Sequence, residues 1–274
     1  MNLIRPPAVA GLFYPANREE LAIEIGSLLG DAAVQPLRPK ALIVPHAGYI
    51  YSGPVAASAY AALAPLRRMI RRVVLLGPAH RVALHGLAGS DAERFRTPLG
   101  DVRIDRDAVA AALQLHQVSI NEHAHREEHS IEVHLPFLQT VLDDFALVPF
   151  VVGMATANEV AEVIELLWGG EETLIVVSSD LSHYHPYAAA LKLDRHTAQM
   201  IEHLDPLPDH ERACGATPIN GLLRAAQRHG LAATLLDLRN SGDTAGDRAR
   251  VVGYAAFAFS KGDSPPAENL RHVR

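Results

Sequence analysis

Histidine and aspartate side chains follow three apolar segments of this chain, at the points where those segments end. His46 follows the first such segment and His80 follows the second. Asp180 and His183 follow the last one. Imidazole and carboxylate groups bind metal ions and transfer protons in enzymes. The carboxyl ends of parallel strands form the edge of an α/β sheet where ligands bind, so these side chains are expected to converge in one cleft.

The apolar segments themselves predict the central strands of a sheet that is covered on both faces, because they lack polar alternation. They span residues 41–44, 73–76, 147–152 and 174–177. Segments with helical character lie between them, at 17–29, 105–115, 128–142, 156–168, 187–203 and 217–229, and a further helix is predicted after Pro54 and through Ala64. The alternation predicts an α/β fold, a single domain with a central, mostly parallel or mixed sheet flanked by helices.

Two segments depart from this alternation and predict some antiparallel pairing. Residues 95–102 form a predicted hairpin with its turn at Pro-Leu-Gly-Asp, and residues 251–259 form a predicted final strand. Polar residues begin after that strand. We therefore expect one domain over residues 1–260 and a polar C-terminal tail over 261–274.

Composition argues against several classes of partner. The 274 residues carry a net charge of −6, which gives no electrostatic reason to expect nucleic acid or an anionic membrane surface. The first 16 residues contain no apolar stretch of the length that a signal peptide or membrane span requires, so a cytoplasmic location is expected. Cys214 is the single cysteine, which excludes an intrachain disulfide.

Two further features are candidates for the cleft. Residues 121–139 carry four histidines and four acidic residues without the His-Glu-x-x-His spacing of zinc proteases. The favoured interpretation is the solvated, charged start of a helix, with His129 as a candidate cleft residue. A lone cysteine is most often a small buried apolar residue. Cys214 could nevertheless complete a metal site with His46 and His80, since two imidazoles and a thiolate suit zinc, iron or copper.

Common catalytic motifs are absent from the sequence. It contains neither a phosphate-binding G-x-x-x-x-G-K-[ST] loop nor a G-x-G-x-x-G dinucleotide fingerprint, and it lacks the G-x-S-x-G nucleophile elbow. Nucleotide chemistry and α/β-hydrolase chemistry are therefore disfavoured. Ser178 and Ser179 stand too close in sequence to Asp180 and His183 to predict a hydrolytic triad.

Five blocks of the sequence occur in an order that resembles the Memo family, also called AmmeMemoRadiSam system protein B. They are PHAGYIYSGPVAASAY, LLGPAHRV, EEHSIEVHLPFLQ, SSDLSHY and ACGATPI. The resemblance extends from RPPAVAGLFYPA near the N-terminus to VVGYAAFAF near the C-terminus. The family is similar in fold to class III extradiol ring-cleavage dioxygenases, which bind non-haem Fe(II) through two histidines and a glutamate.

The resemblance implies a metal centre in which His46 and His80 are the imidazole ligands and Cys214 is the third. A soft thiolate in place of a carboxylate changes the preference among metals and adds an oxidisable group. Fe(II) is the expected ion, with zinc or copper as alternatives. Extradiol activity does not follow from the fold.

The same resemblance implies roles for the neighbouring residues. His183 matches the catalytic acid/base histidine of the dioxygenases, and we expect Asp180 to orient it. His129 and Tyr51 fall in matching blocks and are expected to line the pocket. The family name also implies a functional link to an AmmeMemoRadiSam system protein A and a radical-SAM protein.

Three functions remain open from the sequence. The first is an iron-dependent redox enzyme, similar to a dioxygenase, that acts on an unidentified small molecule. The second is a metal-binding or protein-binding scaffold without catalysis, and the third is a zinc hydrolase.

Overall fold

A mixed sheet of twelve strands is the centre of the computed structural model, which describes residues 3–33 and 35–262. In that part of the chain the strands are β1 (Ile4–Arg5), β2 (Ala41–Val44), β3 (Arg72–Pro78), β4 (Leu87–Gly89), β5 (Arg94–Thr97), β6 (Gly100–Ile104), β7 (Val118–Ile120), β8 (Ala146–Val152), β9 (Thr173–Ser178), β10 (His183–His185), β11 (Leu231–Asn240) and β12 (Val251–Lys261). The helices there are α1 (Arg18–Asp31), α2 (Tyr49–Ala61), α3 (Arg106–Ala112), α4 (Glu122–Arg126), α5 (Leu135–Val141), α6 (Ala157–Leu166), α7 (Tyr187–Glu202), α8 (Ala216–His229) and α9 (Ser241–Thr244), with short 3₁₀ helices at Ala64–Leu66 and Glu132–His134.

The four predicted central strands are neighbours in the sheet. Its strand order is β1-β5-β6-β8-β3-β9-β2-β12-β10, with β11 on β12 and β4 between β8 and β7. The pairs β6–β8, β8–β3, β3–β9 and β9–β2 are all parallel. Strands β2 and β9 are buried along their whole length, which explains their unbroken apolar sequences. The predicted α/β fold with a mostly parallel, mixed sheet is confirmed.

Both predicted antiparallel features are present. β5 and β6 form the hairpin, and Thr97 pairs with Gly100 across its turn. Gly100 has a φ of 135°, which L side chains rarely adopt, so the turn requires glycine at this position. The final strand β12 runs antiparallel to β2 and continues the sheet beyond the parallel centre.

Most predicted helices begin and end within a few residues of the observed ones. The Asn17 side chain caps α1 by accepting from the backbone N–H groups of Glu19 and Glu20. Thr156 and Glu159 form the capping box of α6. The start of α2 is a correction, because this helix begins at Tyr49 and contains Pro54, although it was predicted to begin after that proline.

The prediction of one helix over 128–142 with a solvated start is wrong. The segment holds a loop, a 3₁₀ turn and then α5, and α4 ends before it at Arg126. Glu128 and Glu132 are 1% and 0% exposed, so neither faces solvent. Both carboxylates have buried partners from distant parts of the chain, which no local pattern could indicate.

The buried Glu132 carboxylate has four partners in the N-terminal segment. It accepts from Arg5 Nη1 at 2.8 Å and from Tyr14 Oη at 2.7 Å. The backbone N–H groups of Ala8 and Val9 donate to it at 2.7 and 2.9 Å. The N-terminal segment is thus bound to the 3₁₀ turn through one buried ion pair and three hydrogen bonds to the same carboxylate.

No helix in the described ranges has the length and apolar character needed to span a membrane. The predicted C-terminal tail begins at residue 261, which still belongs to β12, and residues 263–274 of it lie outside the described part. The division into a domain and a tail stays a prediction.

We expect Arg5→Met to lower the free energy of unfolding by about 3–5 kcal/mol, because it leaves the Glu132 charge buried without its cation. Urea denaturation would measure this as a lower midpoint at an unchanged slope. Arg224→Met, at an exposed arginine of α8, is the matched control and should stay within about 0.5 kcal/mol of wild type. Equal stability of the two variants would contradict a structural role for the Arg5–Glu132 pair.

Candidate metal centre

Three parallel strands deliver side chains to the same edge of the sheet. β2, β9 and β3 are neighbours, and Val44 at the end of β2 pairs with Ser178 at the end of β9. His46, His80 and Asp180 each follow two residues after the end of their strand. The expected convergence of these residues therefore results from strand register.

The histidine cluster consists of His46, His80 and His129. One ring nitrogen from each lies within 4.8 Å of the others. The rings of His80 and His129 stack at 4.7 Å between centroids, and the His46 ring stands edge-on to both. Nitrogens that bind one ion tetrahedrally at about 2.0–2.1 Å lie about 3.4 Å from each other, so the three rings must move closer together to share an ion.

A hydrogen bond to Glu128 fixes the orientation of the His80 ring. The carboxylate lies 2.9 Å from His80 Nδ1 and accepts from the backbone N–H of His80 and of Ser130. Burial alone would raise the pKa of Glu128, but these hydrogen bonds outweigh it and lower the pKa to about 2. An ionised carboxylate only accepts hydrogen bonds, so in the neutral form of the His80 imidazole the proton is on Nδ1 and the lone pair is on Nε2.

His46 and His129 are neutral at physiological pH, which is the form that binds metals. Burial lowers the pKa of His46 well below 6.5, and the neighbouring imidazoles add to the effect. Burial likewise lowers the pKa of His129 to about 4. His129 Nδ1 is buried and lies 3.4 Å from Glu128 Oε1, and it makes no hydrogen bond to any residue that the structure describes. This donor set fits a transition-metal ion.

Cys214 lies against the cluster. Its Sγ is 3.4 Å from His46 Nε2, and its backbone N–H donates to Asp180 O at 3.2 Å. The next residue must be glycine, since a Cβ on Gly215 would come within 2.7 Å of Ser178 O. Burial, together with the charge of Asp180, raises the pKa of the Cys214 thiol to about 12. Without a cation beside it the thiol stays protonated.

Asp180 and His183 lie near the cluster but are not joined to each other. Asp180 Oδ1 accepts from the backbone N–H of His46 at 2.8 Å, whereas His183 Nδ1 bonds to Leu181 O at 2.8 Å. The expectation that Asp180 orients His183 is therefore wrong. Burial raises the pKa of Asp180 to about 7, against the opposing hydrogen bonds from the His46 and Ala47 backbone.

Tyr51 lies in the first turn of α2 and is 39% exposed, while its neighbour Tyr49 is a core residue. No hydrogen bond within the described residues joins the Tyr51 phenol to the histidine cluster. Its predicted place in the pocket lining stays a prediction.

A cavity of about 740 Å³ opens beside the cluster. Its walls include two of the predicted site residues together with polar groups that sequence reasoning missed. The predicted residues are His80 and Cys214. The missed residues are His85, Glu159, His210 and Thr217. The volume is within the range of small-molecule sites.

Sequence reasoning also missed the residues that support the cluster. Glu128 fixes His80, while Ser178 and His134 lie behind His46. The acids and histidines of residues 121–139 were the available signal. Their alternation with apolar residues gave no indication of which would be buried.

A family model described as Memo-like protein matches residues 5–258. A MEMO1 family protein of Ignicoccus hospitalis is 39% identical over 94% of this chain and 99% of its own length. Those of Aquifex aeolicus and Methanosarcina barkeri are 35% and 37% identical, each over 93% of this chain and 99% of theirs.

Among solved structures, the uncharacterized protein JW3007 from Escherichia coli K12 is similar, with a TM-score of 0.50 and 13% identity. The match covers 79% of this chain and 98% of that one. At this identity the two chains share a fold, and nothing about chemistry follows.

Glu128→Gln should weaken zinc binding about 10- to 100-fold, because an amide is uncharged and can present a donor to His80 Nδ1. Isothermal titration with Zn(II) would measure the dissociation constant. Glu127→Gln, at the exposed neighbouring acid, is the matched control and should bind as wild type does. Unchanged affinity in Glu128→Gln would show that the carboxylate does not support the ligand.

Cys214 should react slowly with iodoacetamide in the metal-free folded protein at pH 8. A pKa near 12 reduces the thiolate fraction roughly a thousandfold relative to an ordinary thiol. Mass spectrometry of timed samples would give the rate. The same protein in guanidinium chloride is the control and should alkylate fully. Equally fast alkylation of the folded protein would contradict the raised pKa.

Proposed function

The chain belongs to the Memo-like family, and from its histidine cluster we propose that it is a metal-binding protein that carries out iron-dependent, dioxygenase-like redox chemistry on a small molecule. The observation that carries the proposal is the meeting of three imidazole nitrogens within 4.8 Å at the carboxyl edge of the parallel strands. A cavity of small-molecule size adjoins them.

The proposed ligands are His46, His80 and Cys214, with His129 as the competing third ligand. In favour of Cys214, its sulfur lies 3.4 Å from His46 Nε2, and a cation there would offset the effects that keep the thiol protonated. In favour of His129, its ring already belongs to the cluster, and Nδ1 has no hydrogen-bond partner within residues 3–33 and 35–262. Fe(II) is the proposed ion, and when bound it would supply redox chemistry and Lewis acidity.

Two residues of the chain are suited to hold or move a proton beside this centre. The carbonyl of Leu181 only accepts, so His183 carries its proton on Nδ1 and offers the lone pair of Nε2 as a base. Burial lowers the pKa of His183, so this imidazole is neutral at physiological pH. Asp180, with a pKa of about 7, is balanced between its two forms while it anchors the backbone of His46.

The second candidate function is a metal-binding scaffold without catalysis. The lack of a hydrogen bond between Asp180 and His183 favours it, because a catalytic base is ordinarily oriented by a partner side chain. A functional link to an AmmeMemoRadiSam system protein A and a radical-SAM protein, and a cytoplasmic location, belong to both candidates.

The test is anaerobic purification followed by elemental analysis of wild type, Cys214→Ser and His129→Ala. We expect about one iron per wild-type chain, little in Cys214→Ser and near-normal content in His129→Ala. The opposite ranking of the two variants would assign the third position to His129. Absence of bound metal, together with no uptake of Fe(II), Zn(II) or Cu(I), would overturn the metal centre altogether.

Oxygen consumption by the iron-loaded protein separates the two candidates. The assay screens small aromatic and phenolic compounds as substrates. Catalysis predicts turnover that falls about 10²- to 10⁴-fold in His183→Ala at unchanged iron content. A scaffold predicts iron binding without turnover in either protein.

A further inference from the structure

A chain of hydrogen bonds runs from the back of His46 into the core. His46 Nδ1 lies 2.6 Å from Ser178 Oγ, and the same oxygen lies 2.8 Å from His134 Nε2. His134 Nδ1 in turn lies 2.8 Å from Tyr60 Oη. All four side chains are buried, with exposed fractions of 0–2%. Among residues 3–33 and 35–262, the Tyr60 hydroxyl has no hydrogen-bond partner other than His134.

The chemistry of these groups allows only two arrangements of protons. A hydroxyl between two ring nitrogens donates to one and accepts from the other, and a neutral imidazole has one N–H. Both rings are buried, with exposed fractions of 1–2%, which disfavours the charged imidazolium, so both are neutral. The direction of one hydrogen bond therefore fixes all the others.

In the first arrangement every bond points toward the site. Tyr60 donates to His134, His134 Nε2–H donates to Ser178, and Ser178 donates to His46 Nδ1. His46 then carries its proton on Nε2, where Cys214 Sγ lies 3.4 Å away. Every buried donor of the chain has an acceptor, so this arrangement is favoured in the metal-free protein.

In the second arrangement every bond points toward the core. His46 Nδ1–H donates to Ser178, Ser178 donates to His134 Nε2, and His134 Nδ1–H donates to Tyr60. The Tyr60 O–H is then left without an acceptor in the described part of the chain, which is unfavourable for a fully buried donor.

A metal ion on His46 requires the second arrangement. Nδ1 is occupied by Ser178, so the ion must take the lone pair of Nε2, and the proton must be on Nδ1. His80 differs, because its Nδ1 faces the ionised carboxylate of Glu128 and carries a proton with or without metal. The tautomer of His80 is thus fixed, whereas His46 faces the Ser178 hydroxyl, which can donate or accept.

We infer that metal binding at His46 reverses the hydrogen-bond chain through Ser178 and His134 to Tyr60, so that two core residues which do not touch the metal position its ligand. This inference rests on the proposed metal binding. The four groups carry the same number of protons in both arrangements. The Nε2 proton of His46 leaves to solvent, each of the three hydrogen-bonded protons moves to the acceptor atom of its bond, and Tyr60 takes up one proton from solvent. His134 changes tautomer from Nε2–H to Nδ1–H, and Tyr60 changes from donor to acceptor.

The experiment follows the tautomer of His134 at neutral pH by two-bond proton–nitrogen correlation NMR of histidine-labelled protein. Zn(II), which is diamagnetic, is the probe metal. We expect the Nε2–H form in the metal-free protein and the Nδ1–H form after loading, with His80 in its Nδ1–H form throughout. Zinc binding that shifts the His46 and His80 rings while His134 keeps one tautomer would overturn the inference and leave the metal centre intact.

Ser178→Ala supplies the test of the connection, because it removes the hydroxyl between the two imidazoles. In this variant the tautomer of His134 should be the same with and without zinc, while His80 still reports binding. Ser58→Ala is the matched control, since the Ser58 hydroxyl is also largely buried but bonds to Pro54 O and Asp237. In Ser58→Ala, zinc should change the tautomer of His134 as it does in the wild-type protein.

The outcomes separate the inference from the function on which it rests. If zinc still changed the tautomer of His134 in Ser178→Ala, the change could not pass through the Ser178 hydroxyl, and the inference would be wrong. No zinc shift at any histidine of the wild-type protein would overturn both the metal centre and the inference. The wild-type comparison is decisive even if Ser178→Ala does not fold.

Discussion

The buried ion pair between Arg5 and Glu132 is the interaction on which the site depends. Glu132 fixes the N-terminal segment, and Arg5 also donates to the backbone carbonyls of His125 and Glu128 at 2.7 Å each. The loop between those carbonyls leads directly to His129. Because desolvation offsets the attraction within a buried pair, its net contribution to stability is small, but the loss of one partner is costly. Its value lies in fixing the loop that carries Glu128, the anchor of His80.

Local sequence patterns were sufficient to predict the elements whose environment is the same along their whole length. The central strands could be predicted because both faces are covered, so their apolar residues run without interruption. The segment around Glu128 and Glu132 could not, because two acids look solvated until Arg5 and His80 are known to reach them. Pro54 was misleading for a related reason. Its ring removes the backbone donor for the carbonyl of Ile50, and this loss falls in the first turns of α2, where Ile50 is 65% exposed.

The site likewise has features that the local sequence predicts and features that depend on distant residues. Strand ends predicted the meeting of His46, His80 and Asp180, because parallel neighbours align their carboxyl ends. The environments of these residues were beyond prediction, since they depend on bonds across more than forty residues of sequence. His80 has a carboxylate behind it and His46 a hydroxyl. Cys214 is more deeply constrained than a lone cysteine suggests, because the absence of a Cβ at Gly215 lets its backbone pack against the end of β9.

The candidate ligands lie far apart along the polypeptide. His46 follows β2, His80 follows β3, and His129 and Cys214 lie in later loops. During synthesis the two histidines that follow β2 and β3 leave the ribosome well before His129 and Cys214, so a nascent chain shorter than 214 residues lacks part of the set. The unfolded chain offers no preformed arrangement for an ion either. Metal capture would therefore follow folding rather than guide it, and the free energy of capture would add to the stability of the finished domain alone.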